Sequence, residues 1–207
     1  PTAIPAAIAQ LDATPAALAS PTVSNNAILW TLPFDGTNVE VGATALADGT
    51  LYRLIRSDQF TGVQAVDTAT GTEKWRSEQE WSGTGIGADQ TGMYFLTLGG
   101  VRALDAASGE QRWDITTLVA PHSLTLSDSR LYLWDGRSEL LAIETGNGDM
   151  AWQGVADVAT ETTAAWASQP PAVTENGIAA MSGTSEIALF DIDGNFTGTA
   201  GSLLDPE

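Results

Sequence analysis

A nine-residue segment recurs three times along this chain and constrains the fold more than any other feature. The three copies run from Asp67 to Trp75, from Asp105 to Trp113 and from Glu144 to Trp152, and their closing tryptophans are 38 and 39 residues apart. A fixed period near forty residues is typical of repeated supersecondary units, each of which buries apolar faces against its neighbours. The sequence therefore predicts a repeat architecture of about four units.

Each unit contains the same order of turn and strand signals. A turn such as Ala47–Gly49 comes first, an apolar segment follows, and a polar loop leads to a second segment such as Val63–Val66. The acid-to-glycine turn then leads into a last segment that carries the tryptophan. Short strands with turn signals every 8 to 12 residues indicate an all-β fold. The apolar segments are Leu51–Ile55, Met93–Leu96, Leu131–Trp134 and Ile178–Met181.

The recurring turn has a physical interpretation. Asp67 and Asp105 are placed to accept hydrogen bonds from backbone N–H groups two or three residues further on. The glycine four residues after the acid supplies a positive φ without steric cost. The tryptophan buries a large area while its indole N–H still needs an acceptor. The expected structural residues are Asp67, Gly71, Trp75, Asp105, Gly109, Trp113, Glu144, Gly148 and Trp152.

The spacing of these residues resembles the tryptophan-docking motif of the PQQ-like β-propeller family. The second copy has Ser108 where the first has Thr70, and the third has Glu144 and Asn147 in the acid and Thr positions. A fourth copy, Ala188–Gly194, is one residue out of register and lacks the tryptophan. The resemblance covers about residues 27–200. It implies an all-β propeller of four-stranded antiparallel blades, about four in this chain and open to being part of a larger ring.

Function follows less directly from this resemblance. The family includes quinoprotein dehydrogenases, a lipoprotein of the outer-membrane β-barrel assembly machinery and extracellular domains of sensors. Its dehydrogenases use an adjacent cysteine pair and a calcium ion, and this chain has no cysteine. We therefore expect a non-catalytic scaffold without a cofactor, which binds a protein partner or further blades outside the cytoplasm, with anchoring through residues before this chain. The alternatives are a fragment of a quinoprotein dehydrogenase or the ligand-sensing domain of a membrane-anchored receptor.

Net charge and cysteine content further restrict the classes of partner and site that the chain can have. The net charge is −18, from 26 acids and 8 bases. Nucleic acids and anionic membranes are bound by clustered bases, so this balance argues against both. The absence of cysteine excludes disulfides and thiolate metal sites, and no apolar run reaches the ~18 residues of a membrane span.

Residues 1–26 differ from the rest, and residues 27–207 form the expected propeller domain. The first segment is rich in Ala, Pro, Ser and Thr and carries one charge, Asp12. This composition favours a flexible linker. A short docking helix is the alternative, because Ile4, Ile8 and Leu11 share a helical face.

Other candidate site residues have structural interpretations as well as functional ones. Asp191, Asp193 and Asn195 resemble the start of a calcium loop, but no glutamate follows at its twelfth position. His122 is the only histidine, and one histidine does not build a zinc site. The glycine-rich run 83–87 lacks the spacing of a phosphate loop. Core packing is expected for the remaining tryptophans, with a place on the rim of a binding face as the alternative. They are Trp81, Trp134 and Trp166.

Closure of the ring is the last expectation. Trp30 resembles the end of a blade whose earlier strands are missing. Residues 27–32 then either complete the fourth repeat, which lacks its tryptophan strand, or the end blades are covered by another polypeptide or by residues outside this chain. The larger rings of the family favour the second alternative.

Overall fold

The computed structural model describes residues 30–32, 36–83, 85–117, 121–136, 138–158, 169–182 and 186–200. These residues form sixteen strands and no helix. No described helix is therefore long and apolar enough to span a membrane. The predicted docking helix or linker, residues 1–26, lies outside the described residues, and so does Trp166.

Four antiparallel sheets of four strands each follow one another along the chain, which confirms the predicted propeller architecture. In every sheet the strands are hydrogen-bonded in sequence order. The first blade contains β1 Glu40–Ala47, β2 Thr50–Arg56, β3 Thr61–Asp67 and β4 Glu73–Glu78. The second contains β5 Ile86–Ala88, β6 Gly92–Thr97, β7 Gly100–Asp105 and β8 Gln111–Thr116. The third contains β9 Ser123–Ser127, β10 Arg130–Trp134, β11 Glu139–Glu144 and β12 Met150–Val155. The fourth contains β13 Ala172–Thr174, β14 Gly177–Met181, β15 Ile187–Phe190 and β16 Phe196–Ala200.

Alternation along each second strand explains how the blades pack. Successive side chains of a strand point to opposite faces of the sheet. In β6, Met93 and Phe95 join the apolar cluster shared with the first blade, whereas Tyr94 and Leu96 join the cluster shared with the third. A strand that is apolar on both faces therefore serves two junctions, which is why these segments are continuous apolar runs in the sequence.

Each sheet has two ends, and the connections differ between them. One end, the turn face, carries the β1–β2 and β3–β4 turns of the first blade and their equivalents. The other end, the loop face, carries the β2–β3 loop and the connection to the next blade. A bulge interrupts the pairing of the last two strands of every blade, as between Ala65 and Val66.

The fourth repeat requires a correction. We expected it to lack its tryptophan strand, but it has a complete fourth strand, β16. Its turn is shorter, and Phe196 packs on Phe190 with ring centroids 5.8 Å apart. Because Leu189 pairs with Gly198 as Ala65 pairs with Trp75, glycine stands in the tryptophan position of this blade.

Candidate functional site

The recurring segments lie at the junctions between blades. The indole N–H of Trp75 donates to the carbonyl of Ala106 at 3.0 Å. A Cβ on Gly109 would lie 2.6 Å from Cε3 of Trp75, and Gly109 has φ +74°. Glycine is thus needed both for the backbone conformation and for the close approach of the indole.

The same contact recurs along the chain. Trp113 donates to the carbonyl of Thr145 at 3.0 Å and lies over Gly148. Trp30 donates to the carbonyl of Thr68 at 2.8 Å and lies over Gly71. The tryptophan of one unit therefore contacts the glycine of the next unit.

The junction between the third and fourth blades departs from this pattern. Trp152 lies over Gly194, but its buried indole N–H has no acceptor among the described residues. In the other three contacts the acceptor is the carbonyl directly after the acid of the turn. The turn of the fourth blade is shorter and does not present that carbonyl to Trp152.

Acidic side chains close the turns of the first two copies. Asp67 Oδ1 accepts the backbone N–H groups of Ala69 and Thr70 at 3.0 and 2.9 Å. The Thr70 N–H lowers the pKa of Asp67, and the Ser108 N–H lowers the pKa of Asp105 in the same way. Both carboxylates therefore stabilise their own turns.

The third copy uses different side chains. Glu144 pairs with Arg130 at 2.9 Å and not with its own turn. Asn147 takes the role that Thr70 has in the first copy: its side-chain oxygen accepts the N–H of Asp149 at 3.0 Å, as the Thr70 hydroxyl accepts the N–H of Thr72.

A tyrosine in the second strand of three blades was missed by the sequence reasoning. Tyr52, Tyr94 and Tyr132 each contact the tryptophan of their own blade, with ring centroids 5.8, 5.8 and 5.9 Å apart. The sequence does contain a pattern that could have revealed it, since tyrosine is the second residue of the apolar segment in each of these three units. The tyrosine ring packs against the indole within its own blade.

The remaining candidate residues are distributed over the fold. Asp191 Oδ1 accepts the N–H groups of Asp193 and Asn195, and Asp191 Oδ2 accepts the Asn195 side-chain amide at 2.8 Å. Both oxygens of this carboxylate are thus engaged within the turn, and no group of three potential metal ligands occurs among the described residues. The backbone of His122 donates to Trp134, and its side chain is exposed.

Two of the remaining tryptophans are packed in the core. Trp81 and Trp134 are buried, and they donate to the carbonyls of Ile55 and Met181 at 3.2 and 2.8 Å. Of the glycine-rich run, Gly83 and Gly85 lie in the connection between the first and second blades, and Ile86 and Gly87 begin β5. The N–H of Leu96 in β6 donates to the carbonyl of Gly85 at 3.1 Å.

The loop face carries a polar cleft of about 550 Å³ between the first and second blades. Exposed carboxylates line it from the β2–β3 loop, from the end of β4 and from the following connection; they are Asp58, Glu78 and Glu80. On the opposite wall Arg102 donates to Gln79 at 2.7 Å and pairs with Asp114. The hydroxyl of Thr37 donates a hydrogen bond to the Asp58 carboxylate, and so does its backbone N–H; both bonds lower the pKa of Asp58. The cleft is therefore anionic at neutral pH and only partly neutralised by its arginine.

An exposed leucine stands on the same face. Leu98 lies in the β6–β7 loop and is 88% exposed. A smaller apolar groove of about 230 Å³ lies between the second and third blades, lined by Ile115, Leu141, Ile143 and Met150.

The repeated blade-to-blade contacts and the four sheets define a β-propeller of the PQQ-like class. A family model described as outer membrane protein assembly factor BamB matches residues 16–117 and 59–200. The chain belongs to this family. No curated protein matches the chain.

Solved structures agree on the fold. BamB from Moraxella catarrhalis is 19% identical with a TM-score of 0.62, over 77% of this chain and 49% of that one. The computationally designed Ika8 protein is 15% identical with a TM-score of 0.63, over 79% and 49%. The designed Ika4 protein is 10% identical with a TM-score of 0.61, over 77% and 96%. The chain thus spans about half the length of the first two structures.

Proposed function

We propose that this chain is a non-catalytic β-propeller scaffold that binds a protein partner in an extracytoplasmic complex. The binding surface is the loop face. The observation that carries the proposal is the position of Leu98, the most exposed large apolar side chain of the described residues, on the same face as the polar cleft. An apolar anchor beside polar, charged groups is the usual anatomy of a protein-binding surface.

The family supports the extracytoplasmic part of the proposal. Its model is described as an outer membrane protein assembly factor, and a relative of the same fold is BamB from Moraxella catarrhalis. A propeller offers many loops on a rigid frame, and binding residues are often placed on such loops. We therefore place the chain in a multi-protein assembly and not in a catalytic pathway.

Charge defines the expected partner. The chain has a net charge of −18, and the cleft is lined by three exposed carboxylates. A partner that presents Lys or Arg to this cleft is attracted at a distance, and salt weakens that attraction. Glu80→Lys should therefore slow association, whereas Glu110→Lys, an exposed acid on the turn face, should affect it less.

Site-specific photo-crosslinking in the source cells tests the proposal. A photoreactive amino acid is placed at Leu98, and the control position is Leu46, which is 68% exposed near the turn face. We expect one discrete protein adduct from position 98 and none from position 46. Adducts from position 46 alone, or the same adducts from both positions, would contradict a loop-face binding surface.

A further inference from the structure

The fourth strand of each blade is an edge of its sheet. The first strands of neighbouring blades contact one another, β1 with β5 and β5 with β9, so the fourth strands lie at the perimeter of the blades. A free strand edge presents unpaired N–H and C=O groups, and charged side chains commonly protect it from pairing with other chains. β4 carries four charged residues and β8 carries two, whereas β12 and β16 carry none. Two perimeter edges therefore lack this protection.

Exposed apolar side chains distinguish β12 from β16. Met150 and Val155 of β12 are each 58% exposed, and they are two of the five large apolar side chains that are exposed among the described residues. None of the other three belongs to β16, where the one large side chain, Phe196, packs on Phe190. β12 is therefore the perimeter edge that combines missing charge with exposed apolar area.

The backbone of β12 is available for pairing along its outer side. Ala156, directly after the strand, donates its N–H to the carbonyl of Ser138 at 2.8 Å. Hydrogen-bonded pairs alternate in an antiparallel ladder, so Gly154 also bonds to β11, and the N–H and C=O groups of Gln153 and Val155 point away from it. No described strand lies on that side of β12.

The apolar groove between the second and third blades adjoins this edge. It is lined from the third blade by Met150 and Gln153 of β12 together with Leu141 and Ile143, and from the second blade by Ile115. Side chains of a strand point alternately to its two faces, so every second side chain of a strand added to β12 would point to the side of the sheet on which this groove lies. The groove has about 230 Å³ of space for such side chains. The edge thus offers backbone hydrogen bonds and apolar space together.

Acidic residues flank the edge at both ends. Asp149 precedes β12 and Asp157 lies two residues after it, and both are exposed. At the loop-face end, Glu139 of β11 pairs with the last residue of β12. At the turn-face end, Arg112 donates to a carbonyl of the turn before β12 at 3.1 Å, which partly offsets the acid there. Among the described residues, the negative charge beside the edge is therefore greatest at the loop-face end.

We propose that β12 is a strand-addition edge, which pairs with an extended segment of a partner protein. Apolar side chains alternate along this segment and enter the groove, and a Lys or Arg at one end lies beside Asp157. Main-chain hydrogen bonds give affinity in this mode of binding, and space for alternate side chains gives specificity. The edge is separate from the cleft and from Leu98 of the loop face, so the two surfaces can be tested independently.

Charge argues against a second copy of this chain as the occupant. Two antiparallel β12 strands that pair about Gln153 would bring Asp149 of each copy near Asp157 of the other, and like charges opposite one another destabilise a strand pair. Each copy also has a net charge of −18, which adds long-range repulsion. A segment with a basic end meets neither obstacle.

Selection from a library of random nine-residue peptides displayed on phage, with the purified chain as the target, is the first test. We expect the enriched peptides to have alternating apolar residues and a Lys or Arg at one end. Val155→Pro removes one outward N–H and leaves the bonds to β11 in place, so it should weaken the binding of a selected synthetic peptide at least about tenfold. Glu78→Pro is the matched control, because Glu78 pairs with Gly62 on the edge strand β4 as Val155 pairs with Glu139 on β12.

The outcomes of this comparison are distinct. Circular dichroism establishes that both proline variants remain folded. A library that yields no binder, or selected peptides that bind Val155→Pro as tightly as the parent chain, overturns the proposal. Loss of binding in Glu78→Pro alone places the peptide in the loop-face cleft and overturns the proposal as well.

N-methylation of the selected peptide tests strand pairing without any change to the protein. In an added strand, alternate N–H groups point to β12 and the others point to solvent. Methylation of one alternate set should weaken binding at least about tenfold, and methylation of the other set should have little effect. Equal effects of the two sets overturn pairing along the edge.

A charge variant tests where the basic end of the segment lies. Asp157→Lys should weaken the binding of the selected peptide about two- to fivefold, the range expected for one exposed ion pair. Glu110→Lys is the control, because Glu110 is an exposed acid in the turn of the second blade. Equal affinities of the parent chain and Asp157→Lys overturn the placement of a Lys or Arg beside Asp157.

Amide exchange followed by NMR separates the possible occupants of the edge. The outward N–H groups of Gln153 and Val155 should exchange rapidly in the free chain and at least about tenfold more slowly with saturating peptide. Slow exchange in the free chain at every concentration means that another segment of the same polypeptide covers the edge. Slow exchange only at high protein concentration, together with a dimer in sedimentation, means that a second copy covers it. Either result overturns the proposal.

Discussion

The indole of Trp113 joins the second blade to the third, and its removal should destabilise the fold measurably. Its N–H donates to Thr145 at 3.0 Å, its ring covers Gly148, and Tyr94 packs against it. Truncation of a core tryptophan to alanine costs about 3–5 kcal/mol. Because Trp113 is half-buried, we expect Trp113→Ala to lower the free energy of unfolding by about 3–4 kcal/mol.

The hydrogen bond is separated from the packing by phenylalanine variants. Trp113→Phe leaves the carbonyl of Thr145 without its donor, which costs about 0.5–1.5 kcal/mol beyond the loss of ring area. Trp152→Phe is the matched control, because the indole N–H of Trp152 has no acceptor among the described residues. We therefore expect Trp113→Phe to be the more destabilising variant by about 1 kcal/mol.

Urea unfolding and thermal unfolding, both followed by far-UV circular dichroism, measure these effects without relying on tryptophan fluorescence. For a chain of this length, a loss of 3 kcal/mol corresponds to a fall in Tm of about 6–12 °C. If Trp113→Ala melts within about 2 °C of the parent, the indole is not a stabilising wedge between blades. If Trp113→Phe and Trp152→Phe lose the same free energy of unfolding, the indole hydrogen bond of Trp113 does not contribute to stability.

Three further outcomes are expected. Gly109→Ala should destabilise the chain by more than about 1 kcal/mol, because φ is +74° and the new Cβ would lie 2.6 Å from Trp75. Gly146→Ala is the control: a Cβ at this position meets no atom within 4 Å, so it should have little effect in the same unfolding assay. The pKa of Asp105 is lower in the folded chain than the value of about 3.9 expected in the unfolded chain, so its carboxylate stabilises the fold at pH values above about 3.9. This stabilisation is lost as the pH falls through the pKa of the folded state. Asp105→Asn should therefore flatten the decline of stability below about pH 4. The purified chain should bind neither PQQ nor zinc, because it has no cysteine and only His122; absorbance and metal analysis of the preparation check this.

Periodicity in the sequence predicted the blades, because each blade is one repeat and its strands pair locally. The same reasoning assigned Gly109 and Trp113 to one motif, whereas in space Trp113 lies over Gly148 of the next unit. A spacing within one repeat does not reveal which repeat supplies the partner. Only the packing of neighbouring blades shows that the docking contact crosses the junction.

The loop-face cleft was not predictable from the sequence. Asp58 and Arg102 are far apart along the chain and belong to different blades, yet both line one cleft. No local pattern marks them, since surface acids are common and Arg102 interrupts an otherwise apolar strand. Their proximity follows from the angle between two sheets, which periodicity alone does not specify.

The junction between the third and fourth blades is less well packed than the junction before it. The third blade contributes the paired residues Leu133 and Leu141 to the second cluster, whereas the fourth blade has the smaller pair Ala180 and Ala188 at the equivalent positions of the third cluster. Smaller side chains bury less apolar area, and the indole N–H of Trp152 lacks the hydrogen bond made at the other junctions. The fourth blade is therefore held less firmly by its own chain, and it is expected to exchange its amide hydrogens first. Hydrogen exchange followed by mass spectrometry should therefore show faster exchange in β14 and β15 than in β6 and β7.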